Sequence, residues 1–237
     1  MYDIRREYAR LVQDTIDHIE TGFRSESKAP TAQPKKKAMA GLAMEVLGCT
    51  RCRLHRGRTH AVPGEGNCDA DILFIGEGPG QMEDSTGRPF VGRAGQLLTK
   101  MLAAIDLTRE EVYITNIVKC RPPENRNPLP EEIEQCLPYL QRQIALIDPL
   151  IICCLGGPAA GTILGAGSGI TKLRGTIHRY QPPVESESSG RFLSKGAVVV
   201  ATYHPAAVLR FPEKYRRPVW NDLKLLRDYY RDIREKR

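Results

Sequence analysis

Three stretches carry residues able to do chemistry, and each follows an apolar run. The glycine-rich segment GEGPGQMEDSTGRPFVG at 76–92 follows DILFI, Asn116 follows VYIT, and His204 follows VVVATY. A glycine-rich turn between a strand and a helix usually attracts phosphate through its free amides. Here the glycines at 76, 78 and 80 alternate and no Lys-Ser or Lys-Thr follows, so neither the dinucleotide fingerprint nor the P-loop template fits. Glu77, Glu83 and Asp84 would also repel a phosphate. The segment therefore suits a backbone that closes on a neutral ring. A tight turn accounts for one glycine, but not for three accompanied by carboxylates and Phe90. In isolation Asn116 reads as a turn or cap residue, and His204 before a proline as a satisfied surface or core imidazole.

Seven cysteines, an odd number, argue against a fully paired disulfide framework. Cys49 and Cys52 form a CxxC hook, a spacing shared by zinc, haem, redox and structural settings. Cys120 and Cys136 supply a second, wider pair. Four thiolates suit either zinc or an iron-sulfur cluster. Cys153 and Cys154 sit in an apolar run and read as core, while Cys68 lies in a loop without an assigned role.

The elements that must position these residues follow from periodicity. Apolar runs at 71–77, 112–120, 150–156 and 198–205 alternate with helical patterns at about 94–105, 130–147 and 157–164. The expected class is α/β: a three-layer αβα domain around a central, mainly parallel four-stranded sheet. In such sheets ligands sit beyond the carboxyl ends of the strands, where the three stretches converge. TIHRY at 176–180 predicts a further strand before an exposed polar excursion at 181–196, and WNDLKLLRDYYRDIREK predicts a closing helix. Upstream, an apolar stripe over 3–22 predicts an amphipathic helix, and SESKAPTAQPKKK at 25–37 a flexible basic linker. The domain division expected is thus 1–39 for helix and linker and 40–237 for the compact domain. A net charge of +7 favours polyanions such as nucleic acid. No stretch is apolar enough to span a bilayer, and the start MYDIRREYAR is too charged for a signal peptide, so no membrane association and a cytoplasmic location are expected.

GEGPGQMEDSTGRPFVGRAGQLL, TNIVKCRPPENRNP and HPAAVLR, in this order and with this cysteine spacing, closely resemble the family 4, iron-sulfur uracil-DNA glycosylases. The resemblance runs from about residue 42 to the C-terminus. It implies a uracil-DNA glycosylase fold and a DNA repair enzyme that flips uracil from DNA, hydrolyses its N-glycosidic bond and leaves an abasic site. Asn116 then reads the N3–H and O4 edge of uracil, a pattern that cytosine inverts. Phe90 stacks on the base, Gly78 and Gly80 bring backbone to it, and Glu83 stands near C5 against a thymine methyl. His204 stabilises negative charge on O2 of the departing base; Gly78 stands where other branches carry a water-orienting Asp, which leaves the neighbouring Glu77 or a backbone carbonyl to position the water. Val208 and Leu209 are implied as the wedge filling the vacated stack. Arg210, Arg121, Arg126 and Lys119 are implied as DNA contacts, with Ala206 where many relatives carry Ser. The resemblance also decides for a 4Fe-4S cluster on Cys49, Cys52, Cys120 and Cys136, structural in role. The expected partner is uracil-containing DNA, single- or double-stranded. A monomer is expected, with the N-terminal helix available to a replication or repair partner. CRPPENRNPLP lacks the histidine-bearing basic insert of a covalently trapping relative, which implies ordinary turnover. The rival readings are a non-enzymatic iron-sulfur or zinc nucleic-acid module, which leaves Asn116, Phe90 and His204 idle, and a dinucleotide oxidoreductase, against which the failed fingerprint counts.

Overall fold

Four of the apolar runs are rich in branched side chains and have no polar face, the pattern of strands covered on both sides. In the computed structural model, which describes residues 32–165, 167–181 and 196–236, they form the parallel centre of a six-stranded sheet. The strands are β1 (Glu65–Gly66), β2 (Ile72–Gly76), β3 (Tyr113–Asn116), β4 (Ile151–Leu155), β5 (Ile177–Arg179) and β6 (Val198–Thr202), in the order β1-β3-β2-β4-β6-β5. The central strands pair parallel, for example Phe74 with Ile114 and with Cys153. Both edges are antiparallel, β1 on β3 and β5 on β6. The sheet is thus mixed and six-stranded rather than four-stranded. TIHRY supplies one edge as expected, whereas the two-residue β1 is too short to leave a periodic signal.

Alternation along each central strand feeds two cores. Leu73, Ile75, Ile152, Cys154, Val199 and Ala201 pack against α1 (Ala32–Leu47), α4 (Pro130–Ile147) and α5 (Gly157–Leu164). On the opposite face Phe74, Ile114, Cys153 and Val200 meet α3 (Arg93–Ala103), α7 (Pro205–Arg210) and α8 (Pro212–Glu235). Cys153 and Cys154 are both buried, one in each core, and the three-layer arrangement is the one expected. Two short helices, α2 (Gln81–Thr86) and α6 (Ile170–Leu173), complete the described elements that bear on the site.

The linker reading requires correction over its last residues. Helix α1 runs through 32–37, and the compact unit containing the sheet begins at Lys35 rather than near residue 40. Lys35 is buried, donating to Ile147 O at 2.9 Å and pairing with Asp69 at 3.1 Å. Its ammonium meets the carbonyl end of α4, where a cation complements the helix dipole. Composition alone makes the lysine-rich run a flexible linker, and this long-range partner overrides that expectation. The helix expected over 3–22 and most of the polar excursion, 182–195, lie outside the described residues. Among the described residues no helix is long and apolar enough to cross a membrane.

Candidate active site

β3 runs parallel to β2 in a register that puts Asn116 opposite Gly76, at the carboxyl ends of both. Asn116 is only 1% exposed, and its Oδ1 is the one buried side-chain polar atom without a hydrogen-bond partner among the described residues. An unpaired buried acceptor costs about 1–3 kcal/mol, so a carboxamide left this way is set for a ligand's donor. A Cβ on Gly76 would overlap both Asn116 Oδ1 and the Phe90 ring, which explains the first glycine of the loop as a close approach. Behind Asn116 stands Lys119, fully buried, its Nζ donating to Asn116 O at 2.7 Å, Thr115 Oγ1 at 2.7 Å and Gln143 Oε1 at 2.6 Å. This corrects the expectation that Lys119 meets DNA. Its charge faces inward, and Gln143, the distant residue that holds it, left no local signal.

The parallel ladder continues past both strands, with Ile117 N donating to Gly76 O at 2.9 Å and Val118 N to Glu77 O at 3.2 Å. The carbonyls of Gly76, at the end of β2, and of Glu77 are thereby engaged; Glu77 lines the cleft half-buried, and burial raises its carboxyl above the ordinary pKa. The cleft has a volume of about 270 Å³ and is lined by Gly78, Gly80, Glu83, Phe90, Asn116 and His204 among others.

Glu83 uses both oxygens on backbone. Oε2 accepts from Gly80 N at 3.1 Å, while Oε1 accepts from Val91 N at 2.9 Å and Gly92 N at 2.8 Å. It fastens the start of α2 to the chain that follows Phe90. Phe90 itself has φ 52°, a conformation rare for a residue with a side chain, and such strain persists only where surroundings enforce it. Arg109, which the sequence did not single out, donates to Phe90 O at 3.0 Å and Pro89 O at 2.8 Å while pairing with Glu65 at 2.6 Å. Gly95 leaves room for this turn, since any Cβ there would overlap the Phe90 carbonyl.

His204 caps α7. Its Nδ1 accepts from Ala206 N at 3.2 Å, so the neutral ring carries its proton on Nε2. Burial pushes its pKa down to about 4, against a smaller upward pull from Glu83. Its ring centroid lies 5.7 Å from that of Phe90. Asn116, Phe90 and His204, far apart in sequence, thus face one cleft at the ends of β2, β3 and β6.

Along α7, Leu209 is 41% exposed and Arg210 is exposed, but Val208 is 7% exposed and belongs to the core between sheet and α3. Val208 is therefore removed from the expected wedge, since a six-residue helix turns adjacent side chains to different faces. Arg126 lines the cleft while pairing with Glu132 at 2.7 Å, and Arg121 donates to Asn125 Oδ1 at 2.8 Å.

Cys49, Cys52, Cys120 and Cys136 line one small cavity with Tyr139. Arg58 Nη1 donates to Cys120 Sγ at 3.0 Å and Lys119 N to Cys136 Sγ at 3.3 Å, the kind of donors that sulfur-held metal centres receive. Among the described residues no three or more His, Cys, Asp or Glu side chains are gathered for a single metal ion. Cys68 is half-buried and packs against the core.

Over residues 63–224 the sequence matches the uracil DNA glycosylase superfamily. A type-4 uracil-DNA glycosylase of Archaeoglobus fulgidus is 46% identical over 181 residues, 75% of this chain and 86% of that protein. Its counterpart in Sulfurisphaera tokodaii is 45% identical over 196 residues, 81% of each chain. That of Thermotoga maritima is 43% identical over 197 residues, 82% of this chain and 96% of its own.

Proposed function

This chain belongs to the uracil-DNA glycosylase superfamily, with the type-4 enzymes as relatives, and from that premise we infer that it excises uracil from DNA by hydrolysing the N-glycosidic bond. The observation that carries the assignment of residues is the partnerless Oδ1 of Asn116. It accepts uracil N3–H, while the carboxamide N–H donates to O4. Cytosine would set an acceptor and a donor against those same groups and leave them unpaired. Phe90 stacks on the extruded ring, a contact worth roughly 1–3 kcal/mol per base. Glu83 keeps that ring in place through the Val91 and Gly92 amides, and its packing beside the cleft narrows the room for a 5-methyl group.

As the bond from N1 to the sugar breaks, its electron pair passes to the base and charge gathers on O2. The Nε2–H of His204 meets that charge without proton transfer. The sugar carbon left electron-poor takes a water molecule, which the Glu77 carboxylate orients and relieves of a proton. Leu209 fills the vacated stack and Arg210, Arg121 and Arg126 contact phosphates. A binding-only module would leave this constellation without a task.

The four cysteines gathered around one cavity support a four-iron, four-sulfur cluster held by Cys49, Cys52, Cys120 and Cys136. A cubane spreads its thiolates farther than one zinc ion, whose Zn–S bonds are about 2.3 Å. When bound, it supplies a rigid covalent tie between the segment before β1 and the loop behind Asn116. The same reading takes the protein as a cytoplasmic monomer; sedimentation tests the monomer and cell fractionation the location. The deciding experiment incubates a uracil-containing oligonucleotide with the protein and then with alkali. Strand cleavage at uracil is expected for the wild type and its near-complete loss for Asn116→Ala; retardation without cleavage would overturn the assignment.

A further inference from the structure

A row of aromatic rings begins at Tyr203, the neighbour of His204. Its ring centroid lies 4.4 Å from that of Tyr215, and Tyr215 lies 6.3 Å from Phe211 in an edge-on arrangement. Cations sit over the row: Arg174 is 5.5 Å from the Tyr203 ring and Lys214 is 5.2 Å from the Tyr215 ring. Arg174 is fixed there by Asp222, which it pairs with at 2.7 Å. The two tyrosines are half-buried against the core, whereas Phe211 at the end of the row is 53% exposed.

Phe211 is nonetheless held firmly. Its N–H donates to Ala207 O at 2.9 Å, closing α7, and its carbonyl accepts from Tyr215 N at 3.1 Å, opening α8. The ring is therefore presented by a rigid junction, two residues beyond the exposed Leu209. Arg210, Lys214, Arg216 and Arg217 are exposed around it, with Glu213 the one acid in that stretch. An exposed ring with aromatic backing and basic neighbours matches a nucleobase on a phosphate backbone, since every base has a π face and stacking is indifferent to sequence.

We propose that Phe211, backed by Tyr215 and Tyr203, is a platform on which an unpaired base adjacent to the extruded uracil stacks. This rests on the reading of the chain as a DNA glycosylase. A base within a duplex already stacks on its own neighbours, so the platform contributes most on single-stranded substrate.

The test measures fluorescence anisotropy with a single-stranded oligonucleotide bearing tetrahydrofuran in place of uracil. A second strand also carries tetrahydrofuran at the two positions on each side. Phe211→Ala is expected to bind the first strand about tenfold more weakly than wild type and the second equally well, and Phe211→Trp to retain the affinity. No loss on the first strand, or the same loss on both, overturns the platform. Release of uracil by the wild type from the corresponding uracil strand checks the underlying reading separately: if uracil is released while Phe211→Ala binds both strands like wild type, the platform alone is refuted.

Discussion

An imidazole withdrawn from water and accepting a backbone hydrogen bond at Nδ1 has little reason to take a second proton, and His204 is held neutral down to about pH 4. NMR titration should find its ring unprotonated at pH 5, and His204→Ala should lower single-turnover excision at neutral pH by about a hundredfold or more. Its folded pKa lies below the unfolded value near 6.5, so the unfolded chain binds the proton first. The stability this neutrality contributes is present above pH 6.5 and is lost as pH falls towards about 4, at no more than about 1.4 kcal/mol per pH unit. Urea denaturation of wild type and His204→Ala at pH 7 and pH 5 should show the gap between them closing. Lys119 acts on Asn116 from behind, so Lys119→Met should reduce excision while a strand bearing an abasic site still binds with near wild-type affinity. Strand-end positions drew notice to Asn116 and His204, but in isolation they read as a cap and a satisfied imidazole, and only the family resemblance gave them roles. The sequence hid Lys119, whose inward direction depends on Gln143, twenty-four residues away.

At the scale of elements, the segment 89–92 is held from two sides, by Glu83 on its amides and by Arg109 on its carbonyls. Arg109→Ala frees the strained Phe90 turn, and KM for uracil DNA should rise about tenfold while the melting temperature changes little. Gly76→Ala is harsher, because the new methyl occupies the space of Asn116 Oδ1 and the Phe90 ring. Excision should fall to the level of Asn116→Ala, measured by the same alkali cleavage. Strands and long helices were readable because period and composition agree over many residues, as for α4 at Pro130–Ile147. Short elements were not: β1 spans two residues, and Val208 and Leu209 look alike until α7 turns one inward.

For the whole molecule, the cysteine cavity joins residues on both sides of β1, β2 and β3 into one body beside the α1 and α4 packing. With the proposed cluster in that cavity, Cys136→Ser should abolish visible absorption and iron content and lower the melting temperature by roughly 10 °C, because metal-binding energy is folding energy. Retained iron in that variant would exclude Cys136 as a ligand. The α/β alternation was readable from β2 to β6, whereas the start of the compact unit was not, since it hinges on Lys35 finding the end of α4. Helix α7 has a consequence at this scale. Six residues rise about 9 Å, with His204 as the cap at one end and Leu209 near the other. With the roles proposed for His204 and Leu209, tool and chock are mounted on a single short shaft, and the imidazole advances towards a nucleotide only together with the leucine. On those proposed roles, a normal duplex that refuses the leucine also keeps the imidazole at a distance, a mechanical filter added to the reading of the base edge by Asn116.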